Sequence, residues 1–209
     1  MSDLVFYTNS HSRGRIAHWM LEEVGAPYDT VWLEFGPQMK SDEYRSVNPM
    51  GKVPALKHGD IIVTEGAAIC AYLADRFPEK NLAPPLGDPR RAAYYRWLFF
   101  AAGPLEMAVT AKALGWQVPE GRSGMVGFGS YDDTLNALET ALKPGPYICG
   151  EQFTAADVFV GSSLGWGMMF GTIEKRPLFE SYVGRLYERP AYRATNRINE
   201  AVLQAKKHT

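Results

Sequence analysis

Short apolar runs alternate with stretches of helical period through the first 78 residues, and from residue 89 onward only the helical period remains. Leu4-Val5-Phe6-Tyr7 has strand character. After the polar stretch 8–12, the spacing of Ile16, Trp19, Met20 and Val24 predicts a helix over 13–24, stopped by Gly25 with Pro27 close behind. Residues 28–33 read as a second strand. Ser41 is placed to cap a short helix with Asp42 and Glu43 in its first turn, and Asn48-Pro49 ends it. The runs 53–57 and 61–63 flank His58-Gly59-Asp60 as a β-hairpin, and 66–77 forms a third helix closed by Pro78. The predicted order is β-α-β-α-β-β-α.

Residues 78–89 hold Pro78, Pro84, Pro85, Pro89 and Gly87, the composition of a linker, and Asp88-Pro89 makes a helix start. Helical patterns follow at 90–100, at 130–142, after the capping pair Thr154 and Asp157, at 178–188 and at 192–205. Gly103-Pro104 is expected to break or kink its helix, and the Gly-rich stretch 115–129 to form a loop. The fold class is therefore α/β plus all-α: a sheet-bearing domain over 1–80, a linker over 81–88 and an all-helical domain over 89–209.

Composition refines this picture only by exclusion. Apolar residues make up 46% and charged residues 22% of the 209, as in a globular chain with a real core. Lys+Arg 22 against Asp+Glu 23 leaves a net charge of −1, which gives no electrostatic ground for nucleic acid or an anionic membrane. The Lys206-Lys207 pair reads as a solvated tail. Cys70 and Cys149 are far apart and form neither a CxxC nor a metal-ligand spacing, so no metal is expected; Cys70 reads as a small buried hydrophobe and Cys149 as a turn residue. Met1-Ser2-Asp3 leads straight into the first strand without a signal-peptide pattern, and no apolar run is long enough for a membrane span. The expected location is cytoplasmic.

Three local signals carry chemistry, each with a plainer reading beside it. At Tyr7-Thr8-Asn9-Ser10-His11-Ser12-Arg13 a strand gives way to a helix start. A hydroxyl or amide there can donate to a thiolate and lower a thiol pKa, or a serine there can simply cap the helix. In Asn48-Pro49-Met50-Gly51-Lys52-Val53-Pro54, a cis Val53–Pro54 bond would turn the Val53 backbone outward to pair with an extended peptide; a trans proline on an edge strand would not. In Thr64-Glu65-Gly66, a carboxylate beside free helix N–H groups suits an amino-acid head group, or serves only as a favourable first-turn charge.

In this order and spacing, Asn48-Pro49-x-Gly51-x-Val53-Pro54-x-Leu56 and Glu65-Gly66-x-Ala68-Ile69-x-x-Tyr72-Leu73 resemble the cytosolic glutathione transferase superfamily, bacterial type. The resemblance covers the whole chain. Gly150-Glu151-Gln152-Phe153-Thr154-x-Ala156-Asp157 resembles that family's helix-capping motif, which is structural. The resemblance implies a thioredoxin-like N-terminal domain, a C-terminal helical bundle, glutathione as co-substrate, a homodimer and a detoxifying role. It implies that Pro54 is the cis-proline and that Val53 binds the cysteinyl part of glutathione through its backbone. Glu65 and the Gly66 N–H then hold the γ-glutamyl head, Lys52 reaches the glycyl carboxylate and Gln38 lines the same site. The family usually has Ser where this chain has Gly66, so one hydroxyl contact is missing, worth about 1 kcal/mol.

For the residue that meets the thiol, Ser12 ranks first, then Ser10, then Asn9, with Tyr7 last because it lies on the strand. The absence of Cys from this loop argues against a mixed-disulfide route. The implied reaction is attack by the glutathione thiolate on a hydrophobic electrophile. Trp97, Phe100, Met107 and Trp116 are candidates for its apolar pocket, with helix core or dimer interface as their competing role. A glutathione-dependent disulfide reductase, peroxidase or isomerase, and a non-catalytic glutathione-binding regulator, are the alternatives.

Overall fold

The computed structural model describes residues 3–207, with side chains through Lys206; the Met1-Ser2 start lies outside the described residues. Strand β1 (Leu4–Thr8) is central in a four-stranded mixed sheet of order β2-β1-β3-β4. It pairs in parallel with β2 (Asp29–Trp32) and antiparallel with β3 (Ala55–His58), which pairs antiparallel with β4 (Ile61–Thr64). Side chains alternate across a strand. Phe6 and its partner Leu56 therefore face one way, and Tyr7 and its partner Ala55 face the other.

The Phe6 face receives α1 (Gly14–Val24), with His18 packed 5.5 Å from the Phe6 ring, and α3 (Gly66–Arg76) lies against α1. The Tyr7 face receives α2 (Asp42–Val47), where Tyr44 stands 5.7 Å from Tyr7 in a small core with Met39 and Ala55. The expected caps form: the Tyr44 N–H donates to Ser41 Oγ at 3.2 Å, and Gly25 ends α1 at φ 67°.

The chain then forms α4 (Arg91–Phe100), a π-type turn at Ala101–Leu105, α5 (Glu106–Leu114), α6 (Tyr131–Leu142), α7 (Ala155–Phe170), α8 (Pro177–Tyr187) and α9 (Pro190–Lys207). The expected break at Gly103-Pro104 is thus a widened turn inside a continuing helix, as a missing proline N–H allows. α7 is buried along most of its length. A Cβ at its Gly161 or Gly165 would overlap Leu186 or Tyr187, so both glycines let α8 approach closely.

The compact units divide differently from the expected 1–80 and 89–209. One unit takes the chain through Lys80 together with the stretch from Glu188 onward; the other spans Asn81–Tyr187. The physical reason is the face that α9 presents to α1. Tyr192 packs edge-on to Trp19 at 5.0 Å, Arg15 donates to Asn196 at 2.8 Å, and Arg189 pairs with Glu23 at 2.6 Å. Lys206, expected to be merely solvated, pairs its ammonium with Glu34.

Two buried ionisable groups hold these units internally. In the helical unit the Asp157 carboxylate accepts from the Thr154 N–H at 2.8 Å and its hydroxyl at 3.1 Å, and from the Ile148 N–H at 2.8 Å and the Tyr182 hydroxyl at 2.9 Å. Burial still pushes its carboxyl up to about 6. In the sheet unit the Tyr28 hydroxyl gives its proton to Glu22, so it accepts from His18 Nε2, while Nδ1 faces the Asn199 amide at 2.9 Å. Burial, with a smaller contribution from the Arg15 charge, lowers the imidazole to about 4.

Replacing Asp157 with Ala leaves four donors without an acceptor and should lower the unfolding free energy by at least about 3 kcal/mol, read by urea denaturation. His18 is neutral when folded and takes up a proton near pH 6.5 when unfolded. Its stabilisation is therefore complete above 6.5 and is lost as pH falls toward 4. Wild type should lose about 3 kcal/mol more than His18→Gln across that window; equal pH slopes would contradict the assignment.

Candidate functional site

Strand register brings the chemically interesting segments to one end of the sheet. Thr8, the last residue of β1, lies beside Trp32, the last of β2. Tyr7 faces Ala55, the first residue of β3, and Ala55 faces Thr64, the last of β4. The loop after Thr8, the segment after Trp32, the Val53–Pro54 pair and the Glu65-Gly66 step all join the sheet at that same end. Of the sequence candidates, Asn9, Ser10, Ser12, Gln38, Lys52, Val53, Pro54, Glu65 and Gly66 are gathered there.

In the loop after β1, Ser12 is half-buried. Its Oγ donates to the Asn9 carbonyl at 2.8 Å and accepts from the Gly14 N–H at 2.9 Å, next to the start of α1. Asn9 is buried, and its amide donates to the Leu33 carbonyl at 2.6 Å while accepting from the His11 N–H at 2.8 Å. Ser10 is also buried, and its hydroxyl has no partner among the described residues. Ser12 is thus the most accessible of the three, and its oxygen already receives a backbone N–H.

The Val53–Pro54 peptide is cis. Among the described residues no hydrogen bond engages the Val53 backbone N–H or C=O. The preceding turn is fixed by Asn48 of the motif together with two side chains outside it, Lys40 and Tyr44. Lys40 donates to the Met50 and Gly51 carbonyls, both at 2.9 Å; the Lys52 carbonyl accepts from the Tyr44 hydroxyl at 2.6 Å and the Asn48 amide at 2.7 Å. Burial pushes the Tyr44 phenol up to about 12, so it stays a donor. Gly51 has φ 57°, and a Cβ there would overlap the Met39 carbonyl oxygen. The motif Asn48-Pro49-x-Gly51 signalled the turn, but nothing local pointed to Lys40 ten residues earlier.

Glu65 is exposed and precedes α3 at φ 69° and ψ 122°, a region that a side chain rarely adopts. Its side chain makes no cap bond, and the first N–H groups of α3 behind it have no helical partner by construction. Gln38 accepts the Glu34 N–H at 2.7 Å and borders a groove of about 340 Å³ with Tyr7, Leu33 and Tyr44. The Lys52 side chain is exposed.

The helical-unit candidates separate. Trp97 is buried, with Phe100 edge-on at 5.2 Å and the Arg96 guanidinium 4.6 Å above its ring. Met107 on α5 and Trp116 just beyond it are exposed. Burial raises both cysteine thiols, Cys149 to about 12 and Cys70 further, so neither forms a thiolate near neutral pH.

The glutathione S-transferase N-terminal domain model matches residues 13–76, and the corresponding C-terminal domain model matches 63–166. Glutathione S-transferase GstA of Escherichia coli O157:H7 is 31% identical over 178 residues, covering 83% of this chain and 88% of that protein. Human glutathione S-transferase theta-2B is 32% identical, covering 82% and 75%. A solved glutathione transferase from Methylococcus capsulatus matches with TM-score 0.79 at 27% identity, covering 95% of this chain and 99% of that one. A sphingomonad glutathione S-transferase solved with bound glutathione gives 0.77 at 25% identity, covering 94% and 98%. The chain belongs to the glutathione S-transferase family.

The backbone at Glu65 yields a stability expectation independent of any ligand. Glycine is at ease where alanine is not, so Glu65→Gly should be more stable than Glu65→Ala by about 1 kcal/mol in urea unfolding. The reverse order would mean that this backbone carries no strain.

Proposed function

We propose that this protein is a glutathione transferase, joining the glutathione thiolate to a hydrophobic electrophile, and that it works as a homodimer. The observation that supports this most is the meeting of the Ser12 hydroxyl, the unpaired Val53 backbone and the Glu65-Gly66 helix start at one end of the sheet. Glu65 takes the ammonium of the γ-glutamyl head, and the Gly66 N–H takes its carboxylate. Val53 pairs through N–H and C=O with the cysteinyl part, in the manner of an added strand. Lys52 attracts the glycyl carboxylate, and Gln38 lines the same region.

Ser12 is the donor to sulfur. The Gly14 N–H bonded to Oγ draws electron density from the hydroxyl and strengthens it as a donor. A charge-assisted bond to the thiolate, together with the nearby start of α1, lowers the thiol pKa and raises the fraction of nucleophile. Sulfur then attacks an electrophilic carbon, the S–C bond forms and the leaving group departs with its electron pair. Phe100, Met107 and Trp116 are assigned to the apolar electrophile, with Trp97 backing Phe100. The two thiols outside this loop, Cys70 buried and Cys149 half-buried, are both unionised and disfavour a disulfide-exchange reaction. Because Ser12 also caps the start of α1, a glutathione binder without turnover is the second reading.

Wild type should be retained on immobilised glutathione and should turn over a general aryl halide. Ser12→Ala should keep that retention and lose at least about tenfold in kcat, whereas both Glu65 variants should lose retention. An unchanged rate in Ser12→Ala refutes the donor assignment, and retention of wild type without turnover favours the binder.

A further inference from the structure

The turn that presents Ser12 is organised from a single residue. Asn9 follows β1 directly, with its amide nitrogen, amide oxygen and backbone carbonyl all in use. Its amide N–H holds the Leu33 carbonyl at 2.6 Å, and its amide oxygen takes the His11 N–H at 2.8 Å. Its backbone carbonyl takes both the Ser12 N–H at 3.0 Å and the Ser12 hydroxyl at 2.8 Å. The first bond ties the loop to the segment leaving β2. The second closes an Asx turn, in which a side chain stands in for a backbone acceptor. The third pair fixes where Ser12 Oγ lies and where its proton points.

We infer that Asn9 is a positioning residue for this reaction, acting through Ser12 rather than on sulfur itself; the inference rests on Ser12 being the thiolate donor. Asn9 is 2% exposed, and its amide is spent on holding Leu33 and His11 rather than standing at the loop's surface. What it supplies is geometry. With the turn closed, Oγ is held between the Asn9 carbonyl and the Gly14 N–H, so the hydroxyl exchanges one neutral acceptor for a charged one without any backbone rearrangement. Without the amide, the loop is free to move away from Leu33 and the hydroxyl has no fixed direction. The loss then falls on the step that needs the thiolate, while the Glu65, Gly66 and Val53 contacts are untouched.

The experiment is a double-mutant cycle in the full-length protein with glutathione and an aryl halide. Asn9→Ala should lower kcat about tenfold while KM for glutathione stays within about twofold, and should reduce the thiolate ultraviolet absorbance of the protein–glutathione complex at fixed neutral pH. In a Ser12→Ala background, Asn9→Ala should change kcat by less than about twofold, because its effect has no other route. Asn9→Asp keeps the shape and the bond from His11 but loses the donor to Leu33. It carries the same test if Asn9→Ala fails to fold, with an expected loss of about threefold or more that likewise vanishes beside Ser12→Ala. A loss of equal size in both backgrounds, or a raised KM with kcat unchanged, overturns the inference. If Ser12→Ala lowers turnover and neither Asn9 variant does, the inference alone fails. If Ser12→Ala leaves turnover unchanged, the Ser12 reading fails and the inference falls with it.

Discussion

Pairing of β1 with a strand on each side governs most of what this molecule can do. Because β2 runs parallel to β1, the ends of both strands lie at the same level, and Leu33 is delivered next to the loop that follows Thr8. Because β3 runs antiparallel, its beginning lies at that level too, and the next hairpin returns the end of β4 there. Four chain segments widely separated in sequence are thereby set side by side with little freedom. A slip of one residue between β1 and β3 would send Tyr7 and Phe6 to opposite faces, exchanging the α1 and α2 cores, so the hydrophobic pattern itself enforces the register.

On that frame, the site is built largely from backbone groups whose directions are set by side chains nearby. Lys40, Tyr44 and Asn48 occupy the carbonyls of residues 50–52, which leaves the next residue, Val53, presenting its own N–H and C=O. Asn9 does the same for the turn before α1. Glu65 is held in an uncommon backbone conformation at the mouth of α3. Rigid polar groups arranged before a substrate arrives are a less costly way to bind it than groups that must be ordered on arrival.

The sequence made the elements and the family legible because their signals are local. A Gly at the end of α1, a Ser before α2 and the Thr154–Asp157 pair before α7 each act within four residues, and the structure has all three. Nothing of that kind announces long-range partners. The packing of α9 on α1 depends on Trp19, His18, Arg15 and Glu23 meeting residues more than 160 positions later. Lys40 was invisible as part of the site for the same reason on a smaller scale. Resemblance ranked Ser12, Ser10 and Asn9, but nothing local gave a physical ground for that order. That ground comes from burial and hydrogen-bond geometry, which leave one hydroxyl accessible, one enclosed and one amide bonded through both its nitrogen and its oxygen.

The return of α9 to the first unit has a consequence for how the protein is made. A ribosome releases the segment bearing the whole sheet first, then the entire helical unit, and only after it the helix that covers α1. Until then Trp19 lacks Tyr192, His18 lacks Asn199 and Glu23 lacks Arg189. The nascent sheet unit is therefore incomplete until α9 emerges, with an aromatic and an imidazole on an uncovered helix face. Native structure in this half of the molecule is sealed by a helix made only after the whole helical unit, so that termination within α9 leaves a full set of site residues on a unit that has not closed.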